Sequence, residues 1–208
     1  MKPGTVVSYT LKAIIVTFFI SAIWRNNWII AFGCFAGIMF TILLPMVLKL
    51  KFNITLPWIL DLMITVAFFI HICGDVLYAY DTIPHYDNIT HFVSACVVAL
   101  VVLIAVYILN EYWGGLQVDK YGTAFVVIIT TVAMGVVWEF REWSADAIFG
   151  MQTQLSLEDT MTDLLVNALG GVFIAIVGIR LLKNGALKAM TKDLGERVDT
   201  HIINKKKP

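Results

Sequence analysis

Three short stretches of this 208-residue chain combine residue types that bind cations or move protons. Asp87 and His91 stand four apart in Asp87-Asn88-Ile89-Thr90-His91, which puts both on one face at the start of a helix. Glu139 and Glu142 stand three apart in Trp138-Glu139-Phe140-Arg141-Glu142-Trp143. Asp159, Asp163 and Asn167 repeat at four and lead into Gly170-Gly171, giving one polar helical stripe. Gathered carboxylates repel one another and take up protons unless a cation offsets their charge. Mixed imidazole and carboxylate donors suit Zn, Mn or Fe(II), and carboxylates alone suit Mg or Ca. The expected cofactor is therefore a divalent metal ion, with Zn, Mn, Mg and Ca all open. Its expected ligands are Asp87, His91, Glu139, Glu142 and Asp163, with Glu139 and Glu142 also the candidate catalytic residues as general bases. Ligation needs deprotonated donors, so binding is expected to weaken as pH falls.

Other polar residues have plainer expected roles. Asp159, just ahead of an apolar run, suits helix N-capping better than ligation. Arg141 can form structural ion pairs with its neighbouring glutamates, and His85 follows Pro84 in a loop. His71, four residues before Asp75 on an apolar face, suits an interhelical hydrogen bond; Asp61 should pair with a polar group on a neighbouring helix. The sequon Asn88-Ile89-Thr90 lies too near the membrane to rate as a glycosylation site.

The elements that must position these groups follow from composition. The chain is 59% hydrophobic and 14% charged, against roughly 45–50% and 25% in soluble domains. The neutral total hides an uneven distribution: residues 1–179 hold seven basic and twelve acidic groups, and residues 180–208 hold eight basic and three acidic ones. Such a chain is not a soluble enzyme, a disordered protein or a nucleic-acid binder. Six apolar segments, roughly 6–24, 28–50, 56–78, 90–110, 122–144 and 160–182, are each long enough to cross about 30 Å of hydrocarbon as helix. The expected fold is an all-α bundle of six transmembrane helices over residues 1–182, followed by a basic cytoplasmic tail over 183–208 with an interfacial helix through Ala186–Leu194. The first segment reads as a retained span, and Lys12 within it as a lysine snorkelling to the interface. Cys34, Cys73 and Cys96 read as small buried hydrophobes.

Orientation follows from the basic residues. With both termini cytoplasmic, thirteen Lys and Arg lie inside and only Arg25 and Arg141 outside. Nine of the fifteen acids, with His71, His85 and His91, then map to the extracytoplasmic half or its loops. A charge inside a spanning helix is costly and marks a cavity, a partner or a metal.

The blocks His85-Tyr86-Asp87-Asn88-Ile89-Thr90-His91-Phe92, Trp138 to Trp143, and Asp159-Thr160-Met161-Thr162-Asp163 resemble the signatures of the YjdF-like inner-membrane proteins, a family of unknown function. A more distant similarity is to VanZ-like proteins, with an Asp-x-x-x-His-Phe, a later Glu, and an Asp-x-x-x-Asn-x-x-Gly matched by Asp163, Asn167 and Gly170. The resemblance covers about residues 70–180. It implies a small multi-span protein with a polar site and supplies no reaction.

Three functions stay open on the sequence. One is a metal-dependent enzyme acting at the outer leaflet on a lipid or lipid-linked substrate. The second is a cation transporter or channel, against which the inner half is nearly bare of polar residues. The third is a non-catalytic membrane subunit or scaffold with a structural polar site. Membrane lipids are the expected partners, and no nucleic acid is. The orientation is tested by cysteine labelling in intact cells: Asp81→Cys and Met151→Cys should react with an impermeant maleimide, and Lys120→Cys and Lys192→Cys should not. The reverse pattern overturns it.

Overall fold

The computed structural model describes residues 3–113 and 117–200. His201 and Lys205 to Lys207 of the tail therefore lie outside the described residues. The described chain is helical: α1 (Pro3–Trp24), α2 (Trp28–Ile38), α3 (Leu44–Phe52), α4 (Trp58–Val76), α5 (Ala79–Thr82), α6 (Tyr86–Ile108), α7 (Lys120–Phe149), α8 (Leu157–Lys183) and α9 (Ala186–Val198). Six candidate spans result, with α2 and α3 joined into one over Trp28–Phe52 and α6 extended to Tyr112. The expected all-helical, six-span membrane protein is borne out. A wider π turn over Met39–Leu43 joins α2 to α3 immediately ahead of Pro45. Proline lacks an N–H and crowds the carbonyl four residues back, so a loosened turn accommodates it.

Two compact units share the chain, divided between Tyr86 and Asp87 and again within α9: Met1–Tyr86 with Met190–Pro208, and Asp87–Ala189. In the first, Ile15, Cys34 and Ile72 form a buried core. Here Lys12 departs from expectation. It is buried rather than snorkelling, because its ammonium lies 2.6 Å from Asp61 Oδ1. Ser8 Oγ donates to the other Asp61 oxygen at 2.6 Å, and Thr65 Oγ1 donates to the Asp61 carbonyl at 2.7 Å. The partner expected for Asp61 is thus Lys12 of α1. His71 also has its expected bond, Nδ1 to Tyr80 Oη at 2.7 Å.

In the second unit α6, α7 and α8 carry the acids of interest, and small residues set their approach. A Cβ on Gly170 would stand 2.7 Å from Ala95 Cβ and 3.1 Å from the Phe92 carbonyl of α6, so the two helices meet backbone to backbone there. Gly171 lies against Thr131 of α7. The helix starts are capped: Asp119 accepts from Gly122 N at 2.8 Å, and Ser156 from Asp159 N at 3.1 Å. Asp159 therefore serves the start of α8, as expected, but from its third position, and Ser156 is the cap. Asp159 Oδ2 in turn accepts from Leu155 N at 3.3 Å, close to a capping box. A helix is present in the tail as α9 and runs four residues beyond Leu194.

The Lys12–Asp61 pair generates a stability test. Asp61→Leu strands a buried ammonium and should cost about 3–5 kcal/mol, read as lost thermal stability in detergent. Lys12→Met/Asp61→Leu together should recover most of it. Equal losses in both would show that the pair is not what Asp61 contributes.

Candidate functional site

The first turn and a half of α6 and the second turn of α8 bring three donors together. Asp87, His91 and Asp163 each offer one ligand atom, and those atoms lie within 4.8 Å of one another. His91 Nε2 is 3.7 Å from Asp87 Oδ1 and 3.8 Å from Asp163 Oδ2. These gaps exceed hydrogen-bond length. A first-row divalent ion with ligands at about 2.0–2.2 Å spaces neighbouring donors roughly 3–3.5 Å apart, so the two His91 distances are each a few tenths of an ångström longer than one ion would impose. His91 is 4% exposed and Asp163 1%, and Asp163 Oδ1 meets no donor. Asp87 is only half-buried, and its Oδ1 also accepts a long bond from Thr90 Oγ1 at 3.3 Å.

The far side of the imidazole is held by Asn167, whose Nδ2 stands 3.3 Å from His91 Nδ1. Asn167 fits because Gly135 of α7 has no side chain; a Cβ there would be 2.8 Å from the amide nitrogen. The amide orientation sets the histidine's chemistry. With nitrogen toward Nδ1, the ring proton resides on Nε2 and faces the two carboxylates. With oxygen toward Nδ1–H, Nε2 presents a lone pair and is competent as a ligand.

The two glutamates of α7 fare differently. Glu139 is 4% exposed and neither carboxylate oxygen meets a donor in hydrogen-bond geometry. Thr160 of α8 faces it but falls outside that geometry. Glu139 is within electrostatic reach of His91, Asp87 and Asp159, and Asp163 within reach of Asp87, Asp159, Glu139 and Glu142. All five expected residues thus share one charged neighbourhood, but only Asp87, His91 and Asp163 approach ligand spacing. Glu142 is engaged elsewhere. It accepts from Trp138 Nε1 at 3.0 Å and lies 3.6 Å from Arg141 Nη1, the structural ion pair foreseen for that arginine. His85 is exposed, in a left-handed turn with φ 58°, and is not a member of the cluster.

Two parts of the site were not chosen from sequence. Asn167 was visible on the α8 stripe, but spacing alone gave no sign that it bonds His91. The second is the connection from α7 to α8. Asp146 Oδ1 accepts from Thr153 N at 2.8 Å and from its hydroxyl at 2.7 Å, and Asp146 Oδ2 from Gln154 N at 2.9 Å. Gln154 Nε2 then donates to Thr160 Oγ1 at 2.9 Å. This clamp places Gln154 over a cavity of about 380 Å³ with Glu139 in its wall. An aspartate bonding seven residues ahead has no periodic signature.

Comparison with known proteins gives a family and no reaction. An uncharacterized protein of Thermotoga maritima is 30% identical over 111 residues, which are 52% of this chain and 56% of that protein. The aligned region thus spans little more than half the length of that relative. No solved structure matches the chain. The family model described as "Predicted membrane protein (DUF2238)" matches residues 5–184, which covers all six spans and every site residue and is consistent with the YjdF-like resemblance. The chain belongs to the DUF2238 family of membrane proteins.

Proposed function

We propose that the protein holds a divalent cation at Asp87, His91 and Asp163, at the extracytoplasmic end of its second helical unit, and uses it on a substrate at headgroup depth. The observation that supports this most is the spacing of the three donors: too far apart to satisfy one another, and near the separation that one ion would impose. Asp163, fully buried, and Asp87, half-buried, flank one imidazole and favour a positive charge, which no Lys or Arg of the described cluster provides. A divalent ion held by Asp87, His91 and Asp163 would supply it and would offer Lewis-acid chemistry to a substrate oxygen. Glu139 is the candidate base, because it lies within electrostatic reach of Asp87 and His91 and neither of its buried oxygens meets a donor in hydrogen-bond geometry. Glu142, tied to Trp138 and Arg141, orients that stretch of α7.

A second reading, the structural scaffold, is favoured by one observation. The Asn167 nitrogen toward Nδ1 leaves Nε2 as a proton donor between two carboxylates, which suffices for a static polar contact.

Metal content of the purified protein, with and without chelator, separates the two. Wild type and His85→Ala should retain stoichiometric metal, and His91→Gln and Asp163→Asn should lose it. Asn167→Leu removes the group that orients the imidazole and should weaken affinity about 10–100-fold. A wild type that takes up no Zn, Mn, Mg or Ca overturns the metal reading.

A further inference from the structure

We infer that the group taken by the Asp87–His91–Asp163 site is an uncharged carbonyl, of ester or amide class, and that phosphate is excluded. The inference deepens the function above by naming the substrate class of the same site, and it rests on the cation reading.

A Lewis-acidic ion polarises either a carbonyl or a phosphoryl oxygen, and the charge around the donors discriminates between them. Asp87, Asp159, Asp163, Glu139 and Glu142 form one electrostatic neighbourhood. Among the described residues of this unit, Arg141 is the one base beside them. Its guanidinium lies 3.6 Å from Glu142 and 4.4 Å from the centre of the Trp138 ring. Lys120 starts α7, Arg180 and Lys183 end α8, and Lys188 pairs with Glu111 beyond α6. By helical rise all four are about 25 Å or more from the donors, well past the reach of charge in physiological salt. Five carboxylates against one guanidinium leave four negative charges when all are ionised, and one divalent ion still leaves two. With two carboxylates protonated the neighbourhood is only neutral. A phosphate monoester would add about 1.5–2 further negative charges.

Sites for phosphate meet its charge with Arg, Lys or the free N–H groups of a helix start. Both helix starts here are already met by the chain's own acids. Asp87 lies in the first turn of α6, and Glu158 and Asp159 in that of α8, where Ser156 accepts from Asp159 N and Asp159 from Leu155 N. Asp163 Oδ1, buried without a donor, leaves the cluster short of positive charge, not of negative. The way in carries the same sign. His91 and Asp163 are buried, and Asp87 alone of the three donors is open, its side chain 42% exposed. A substrate oxygen would therefore reach the ion from the Asp87 side, where the partly exposed Asp159 adds its charge. An anion meets both carboxylates before the ion, and a neutral carbonyl meets no such barrier.

The test is nuclear relaxation of small probes by the full-length protein in an uncharged maltoside detergent, loaded with Mn(II) or, where it is held more tightly, Co(II). The probes are N-methylacetamide, followed at its carbonyl carbon, and inorganic phosphate, followed at phosphorus. Protein carrying Asp163→Asn, which should lose the ion, gives the background. In wild type the carbonyl carbon should be relaxed saturably above that background, and phosphorus should not. Asp159→Asn then removes one charge while keeping an acceptor for Leu155 N, and Asp159→Lys reverses the charge. Phosphate affinity should rise at each step, about tenfold per unit of charge, with amide affinity unchanged. Loss of a helix cap alone would not select between the two probes. Phosphate relaxed in wild type as strongly as the amide overturns the inference, and so does an amide signal at background while the ion is bound. Both leave the cation reading standing. A wild type with no bound ion on metal analysis of the same samples removes the two readings together.

Discussion

The approach of α8 to α6 at Gly170 sets the distances on which the site depends. With no Cβ, Gly170 lets the α8 backbone lie against the Phe92 carbonyl and Ala95. One turn toward the start of α8, Asn167 then reaches His91 Nδ1, and one turn further Asp163 reaches the other ring nitrogen. Between α7 and α8, Gly171 of α8 makes room for the Thr131 side chain and Gly135 of α7 for that of Asn167. Packing of this kind supplies association energy in lipid, where apolar side chains gain little by leaving hydrocarbon. The polar stripe rides on it, and a larger residue at position 170 would move Asp163 and Asn167 away from the imidazole together.

The two helical units treat buried charge in opposite ways. Asp61 is paired with Lys12, and its remaining oxygens accept from Ser8 and Thr65, so every strong acceptor has a donor. Such a network holds helices in register and asks for no ligand. Glu139 and Asp163 are more deeply buried than Asp61, yet keep three oxygens between them without donors. Evolved structures rarely leave buried polar atoms unmet. The contrast within one chain, in helices of similar hydropathy, separates a structural ion pair from a candidate site.

Much of this was legible in the sequence because it is periodic. Long apolar runs gave the six spans, and the spacing of four put Asp87 with His91 and Asp163 with Asn167. The partners of isolated charges were not legible. Lys12 in α1 and Asp61 in α4 are 49 residues apart, and no local pattern joins them; the snorkelling expected of Lys12 assumed that it had no partner in the bundle. The glutamates show the same limit from the other side. Both belong to one short acidic motif, but their places three apart turn Glu139 inward and leave Glu142 beside Trp138 and Arg141. Spacing identified the pair, and only packing distinguished its members.

The asparagine decides what the histidine can do, and it does so without touching either carboxylate. Its amide is symmetric enough in shape to fit against Gly135 in either orientation, but the two orientations place the imidazole proton on opposite nitrogens. Without a cation, a proton on Nε2 faces Asp87 and Asp163 and eases their mutual repulsion. With a cation between the carboxylates, that proton is repelled and the neutral ring is stable only with Nδ1–H donated to the amide oxygen. Rotation of one buried amide would therefore couple to a cation held at the proposed site. The absence of a Cβ at residue 135 is what leaves room for it.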